Sequence, residues 1–149
     1  DLVGEEARVI AFDIQQDAVD STRALLQEKG YQDRVEVFLD SHSNMDQYAE
    51  ENTVDCITFN FGYLPGGDHN IFTTPATSIP AIEKGLKLLK QGGLMSLCVY
   101  YGGDSGFEEK DALMEYFRTI DSKQYTVLIT EFANRPNNPP IPVFILKQI

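Results

Sequence analysis

The sequence predicts a single α/β domain built on a doubly wound, mostly parallel sheet. Three observations carry this expectation. Short apolar, strand-like runs alternate with segments of helical period. Three of those runs close on an acid or an amide, the arrangement of a sheet that binds a ligand beyond its strand ends. The last two runs are joined by a loop too short for a helical crossover, so they form an antiparallel C-terminal hairpin.

Taken in order, Arg8 to Ile14 (RVIAFDI) reads as a buried parallel strand closing on Asp13. From Asp17, a plausible N-cap, the pattern turns helical, with Ala18, Val19, Thr22, Leu25 and Leu26 on one face and Lys29-Gly30 as the stop. Val35 to Leu39 is the second strand, ending in Asp40-Ser41-His42, and a polar, weakly helical stretch follows to about Glu51. Val54 to Phe61 is the third strand, leading into the glycine-proline loop Gly62 to His69. Ile79, Ile82, Leu86 and Leu89 then recur at helical spacing, with Pro80 in the first turn and Gly92-Gly93 as the terminator. Leu94 to Tyr101 is the fourth strand and Phe107 to Ile120 a further helix with Leu113, Phe117 and Ile120 inward. Tyr125 to Phe132 and Ile141 to Ile149 are the terminal strands.

The chain has 149 residues, of which 42% are hydrophobic, enough for the core of one domain spanning 1–149. Twelve Lys+Arg against twenty-three Asp+Glu give a net charge of −11, which disfavours a generic polyanion binder or a membrane-surface protein. No apolar run has the length of a membrane span and no secretory pattern opens the sequence. Cys56 and Cys98 each lie in an apolar run and read as buried thiols of a cytoplasmic protein. Two histidines and two dispersed cysteines make a metal site improbable.

The chemistry is expected at the strand ends. Asp13 suits the two ribose hydroxyls of a nucleotide-like cofactor, with Gln15 in reach of the same ribose or the adenine; the alternative is a helix-capping or solvated acid. In Asp40-Ser41-His42 an acid or hydroxyl suits the adenine amino group and a histidine its ring. Asn60-Phe61-Gly62-Tyr63 places an amide at a strand end and an aromatic after a turn, resembling the Asn-Pro-Pro-Tyr motif of amino-group methyltransferases. There the amide and a turn carbonyl accept from an amine and aim its lone pair, while the aromatic stacks on the base. Asp68 or His69 is placed to take the amine proton, since only the neutral amine is nucleophilic. The alternatives are a glycine turn with Tyr63 in the core and a solvated Asp68-His69 pair.

Asp13-Ile14-Gln15, Asp40-Ser41-His42, the run Asn60 to His69, Leu89 to Gly93 and Asn137 to Pro140 occur in that order. Together they resemble the small bacterial rRNA methylase family (YtqB-like), over essentially the whole chain and most specifically in YLPGGDH. The resemblance implies a Rossmann-like class I methyltransferase that uses S-adenosylmethionine to N-methylate 5-aminomethyl-2-thiouridine at the tRNA wobble position. It implies that Asp13 and Gln15 hold the cofactor's ribose side, Ser41 and His42 its adenine side, and that Asn60, Tyr63, Asp68 and His69 shape the transfer pocket. Family members often carry a histidine after the strand ending at Tyr100, where this sequence reads Tyr101-Gly102-Gly103-Asp104-Ser105-Gly106.

The family also begins with a strand and a Gly-rich loop that cups the methionine part of the cofactor. That strand lies between the ones ending at Asp13 and Asn60, so the natural protein is expected to extend upstream by one strand and one helix. The acidity fits RNA only if Lys84, Lys87 and Lys90, or Arg118, Lys123 and Arg135, gather at the pocket mouth. An rRNA or small-molecule amine substrate, or a non-catalytic nucleotide-binding domain, are the alternatives, and a homodimer is compatible with the terminal hairpin.

Overall fold

A computed structural model describes residues 4–61, 74–101 and 103–149, with the side chains of 103–106 outside that description. The elements are β1 (Val9–Asp13), α1 (Gln16–Lys29), β2 (Val35–Leu39), a 3-10 helix (His42–Gln47), β3 (Val54–Phe61), α2 (Pro75–Leu88), β4 (Leu89–Val99), α3 (Gly103–Thr119), β5 (Tyr125–Ile129) and β6 (Ile141–Lys147).

Buried and more exposed residues alternate over parts of β3, β4 and β6, and α2 buries one stripe that includes Ser78, Ala81, Ile82, Gly85 and Leu86. β1 and β2 pair in parallel, and a second sheet runs β3-β4-β6-β5, with β3 and β4 parallel and the β6 pairings antiparallel. Among the described residues no ladder joins β1 to β3, so the hydrogen bonds divide the expected single sheet at that point. The 3-10 helix connects the two parts. Tyr48, just beyond it, packs edge-on to Phe12 of β1, and His42 packs edge-on to Phe59 and Phe61 of β3. Lys84 of α2 donates to the Ser43 carbonyl at 2.7 Å and to Asp46 at 2.9 Å.

The core lies on one face of the larger sheet. Phe59 and Phe61, Met95, Leu97 and Val99, and Val143 and Ile145 pack under Ala81, Ile82 and Leu86 of α2 and Leu113 and Phe117 of α3. Full burial of each large apolar side chain contributes about 1.5–3 kcal/mol. The alternate residues form the opposite face, where Cys56, Thr58 and Asn60 of β3 neighbour Leu94, Ser96 and Cys98 of β4. That face is open: Cys56 is exposed, and Leu128 and Leu146 at its far side are 50% and 40% exposed. The two cysteines are therefore not buried as their apolar runs imply. A run such as VDCITF does not say which of its two faces meets the core, and the phenylalanines took it.

Four local expectations are corrected. Asp17 does not cap α1; Gln15 precedes the helix in an extended conformation and its backbone N–H donates to the Asp13 carboxylate, while Gly30 ends the helix at φ 73°. Only Val19 of the expected face is fully buried, with Leu25 53% exposed. Pro80 lies inside α2, because the helix already starts at Pro75 behind Thr74, whose N–H donates to the Thr77 hydroxyl. α2 ends at Leu88 rather than at the glycines, and Lys147 supplies the terminator: its ammonium donates to the Leu86 and Leu89 carbonyls and to Asn52. A cation at a helix C-terminus satisfies its orphan carbonyls and opposes its dipole.

Gly92 and Gly93 instead form an irregularity within β4, where the pairing passes from Val54↔Leu89 to Cys56↔Leu94. Gly92 takes φ 75°, and a Cβ on Gly93 would stand 2.8 Å from the Lys90 carbonyl and 3.2 Å from that of Asp55. Backbone cannot yield as a side-chain tip does. Gly93→Ala is expected to destabilise the fold by about 1–3 kcal/mol, read as a lower urea midpoint; an unchanged midpoint contradicts this account of the turn.

Candidate functional site

The carboxyl ends of β1, β2 and β3 bring the described site residues together. β1 and β2 pair in register up to Asp13↔Leu39, and Asp40 continues the ladder by donating its N–H to the Asp13 carbonyl at 3.1 Å. Asp13 and the Asp40-Ser41-His42 turn are therefore neighbours. The His42 ring stands 5.6 Å from Phe61 and 5.9 Å from Phe59, centroid to centroid, which brings the end of β2 to the end of β3 on either side of Asn60.

Asp13 is half-buried, and its Oδ1 accepts the Gln15 N–H at 2.8 Å. That bond fixes the carboxylate against the head of α1. Among the described residues its Oδ2 accepts no protein hydrogen bond, and the Gln15 side chain caps nothing. Both are available to a ligand at the strand end.

Asp40 is committed elsewhere. Its Oδ1 accepts from the Ser41 N–H at 2.7 Å and the Asn44 amide at 2.8 Å, and its Oδ2 accepts from the Tyr48 hydroxyl at 2.7 Å. The reading of Asp40 as an acceptor for an adenine amino group is replaced by a structural one: it builds the turn that presents Ser41 and His42. The Tyr48, Asn44 and Ser41 donors, in that order, hold its pKa below 3.8, and the same bond raises the Tyr48 phenol above 10.0. A depressed acid stabilises the fold above its unfolded pKa and loses that contribution as pH falls through its folded pKa. Acidification below pH 3.8 is expected to release Tyr48 from the turn, seen as a step in tyrosine near-UV circular dichroism. The step disappears in Asp40→Asn; its persistence there assigns it to another group.

Ser41 caps the 3-10 helix, accepting the Ser43 N–H at 3.2 Å and sharing a 2.8 Å contact with the Ser43 hydroxyl. His42 is different. Burial lowers its pKa, so the ring is neutral near pH 7, and its Nε2 is buried with no partner among the described residues. A buried polar atom in that state calls for a hydrogen-bond partner.

Asn60 projects from the penultimate position of β3 onto the open face, exposed and beside Cys98 of β4. The Tyr100 N–H donates to the Phe61 carbonyl at 2.9 Å, which fixes the end of β4 next to Asn60. Hydrogen bonding to Cys98 raises the Tyr100 phenol. Tyr63, Asp68 and His69 lie outside the described residues. Lys84 bonds to Ser43 and Asp46 beside the Ser41-His42 turn, Lys90 pairs with Asp55, and Lys87 is exposed. Among the described residues no group of three or more His, Cys, Asp and Glu is placed to hold a metal ion.

Sequence reasoning missed Asn44 and Tyr48, which shape the turn. Their only signal is spacing, an amide four residues and a phenol eight residues after a strand-end acid. It also missed a buried pair between α2 and α3, in which the Ser78 hydroxyl donates to Glu109 at 2.6 Å.

Comparison with known proteins places this geometry. A family model described as "Putative rRNA methylase" matches residues 9–146. The chain is 37% identical over 152 residues to an Arabidopsis thaliana protein named tRNA (mnm(5)s(2)U34)-methyltransferase, chloroplastic; the match takes in 99% of this chain and 55% of that one. The chain thus spans about half the length of that curated relative. A crystal structure described as a "putative rRNA-methylase" from Clostridium thermocellum superposes with TM-score 0.93 at 46% identity, over 98% of this chain and 78% of the other. A Streptococcus mutans protein described as a "putative methyltransferase", in complex with SAH, gives TM-score 0.84 at 36% identity over 94% and 76%. A Streptococcus thermophilus rRNA methylase gives 0.78 at 26% identity over 99% and 91%.

Proposed function

This chain belongs to the rRNA methylase family and has the α/β methyltransferase fold, and on that premise we propose that it is an S-adenosylmethionine-dependent RNA N-methyltransferase. Its proposed acceptor is the aminomethyl group of 5-aminomethyl-2-thiouridine at the tRNA wobble position. The observation that carries this reading is that Asp13, the Ser41-His42 turn and Asn60 stand at the carboxyl ends of β1, β2 and β3, with the Nε2 of His42 buried and without a partner among the described residues. The Arabidopsis relative's name supports the acceptor.

The residues fit the cofactor. Asp13 Oδ2 and the Gln15 side chain would take the ribose hydroxyls. The Ser41 turn and the neutral His42 ring, whose Nε2 has no partner among the described residues, would take the adenine. When bound, S-adenosylmethionine would supply a methyl carbon on a sulfonium, with a neutral thioether as the leaving group. The protein's part is positioning. The Asn60 amide oxygen accepts from the amine and directs its lone pair, Tyr63 stacks on the uracil, and Asp68 or His69 receives the proton that the amine releases. In-line displacement needs little further acid-base help.

One observation favours a second reading. The net charge of −11, with Lys84 and Lys90 already paired, suits a small amine better than a polyanion. An acceptor screen with methyl-labelled S-adenosylmethionine and the full-length protein separates the two. Label entering tRNA, and not rRNA or small amines, supports the proposal, whereas label confined to a small amine overturns it.

A further inference from the structure

The end of β4 carries a feature the transfer chemistry does not use. Tyr101 follows the residue that bonds to the end of β3, and its ring meets Phe107 of α3 edge-on with centroids 5.7 Å apart. Lys110, one turn further along α3 on the same side, places its ammonium 5.3 Å from the Tyr101 ring and 5.6 Å from that of Phe107. Phe107 is 43% exposed, a large apolar ring left in water at the ligand end of the sheet. Lys110, whose side chain is 23% exposed, pairs with Asp111, its exposed sequence neighbour, at 2.8 Å; an ion pair with so exposed a partner is weak and leaves the ammonium able to meet a phosphate.

We propose that Tyr101, Phe107 and Lys110 form a platform for an unpaired nucleotide flanking the methylated one, its base stacked on the exposed aromatic surface and its phosphate against the Lys110 ammonium. Single-stranded RNA is held in this way, by aromatic faces that accept any base and a cation that tracks the backbone. The location supports the occupant. The platform adjoins the strand end that carries Asn60, so a nucleotide presented there has its neighbour beside the platform. The charge supports it too, because Lys84 is divided between the Ser43 carbonyl and Asp46 and Lys90 pairs with Asp55, while Lys110, paired with its exposed neighbour Asp111, lies over aromatic rings at this end. The inference rests on the RNA acceptor of the proposed function and gives a chain of net charge −11 a local means of holding RNA.

The test is direct binding of a fluorescent anticodon stem-loop RNA to the full-length protein, with S-adenosylhomocysteine affinity measured on the same samples. Phe107→Ala and Tyr101→Ala are each expected to weaken RNA binding by about 10-fold. Lys110→Gln is expected to weaken it several-fold and reduce the salt dependence by about one phosphate contact. Phe107→Tyr and Lys110→Arg retain binding, and S-adenosylhomocysteine affinity stays constant throughout. RNA affinity unchanged in all three disruptive variants overturns the platform, as does loss of both affinities together, which marks these residues as structural. A wild-type protein that binds no RNA yet methylates a small amine also overturns it. Wild-type binding that the platform variants weaken, without methyl transfer to the RNA, keeps the platform and removes the proposed reaction.

Discussion

Replacing Asn60 by alanine is expected to lower methyl-transfer turnover by about 100-fold, the cost of losing reactant alignment at a displacement that relies on positioning, while cofactor affinity holds. Asn60 stands at the end of β3 on the open face, and its neighbours Phe59 and Phe61 are anchored in the core against His42. Removing an exposed side chain there leaves the anchors in place, so the fold should not change. Turnover with labelled S-adenosylmethionine, alongside calorimetric binding of S-adenosylhomocysteine, reads the two effects separately. If cofactor affinity collapses in parallel with turnover, Asn60 is a binding residue and its aiming role is wrong.

The second large effect belongs to Asp13. Asp13→Ala is expected to weaken S-adenosylhomocysteine binding by about 100-fold, because two hydrogen bonds from ribose hydroxyls to a carboxylate are lost together. The same change frees the Gln15 N–H at the head of α1, so a second variant is needed. Asp13→Asn retains an oxygen for Gln15 and removes the charge; an intermediate loss of affinity with an unchanged melting temperature assigns the effect to the ligand. Wild-type affinity in both variants reduces Asp13 to a turn residue.

Much of this architecture is legible in the sequence because it is local. The β2 and β3 boundaries, Val35–Leu39 and Val54–Phe61, follow from apolar runs bounded by turn residues, and the antiparallel β5–β6 pairing follows from the short connection between them. What the sequence does not disclose depends on contacts between distant residues. Lys147 ends α2 from nearly sixty positions away, so the nearby glycines look like the stop although they form the irregularity in β4. Cys56 and Cys98 sit in apolar runs, yet the alternation that buries Phe59 and Met95 turns both cysteines to the other face. Asp40 has the composition of a ligand-binding acid, and only the arrival of Tyr48 and Asn44 shows that its oxygens are filled. Asp13, Ser41, His42 and Asn60 stand at or just beyond the carboxyl ends of β1, β2 and β3, positions that the strand boundaries alone make legible.

The central claim is the identity of the atom that receives the methyl group. The most direct measurement incubates the full-length protein with S-adenosylmethionine and tRNA from cells lacking the methylated wobble base, then analyses the digested nucleosides by mass spectrometry. The account predicts one methyl gained on the aminomethyl nitrogen of 5-aminomethyl-2-thiouridine. No gain on that nucleoside while S-adenosylhomocysteine still binds contradicts it.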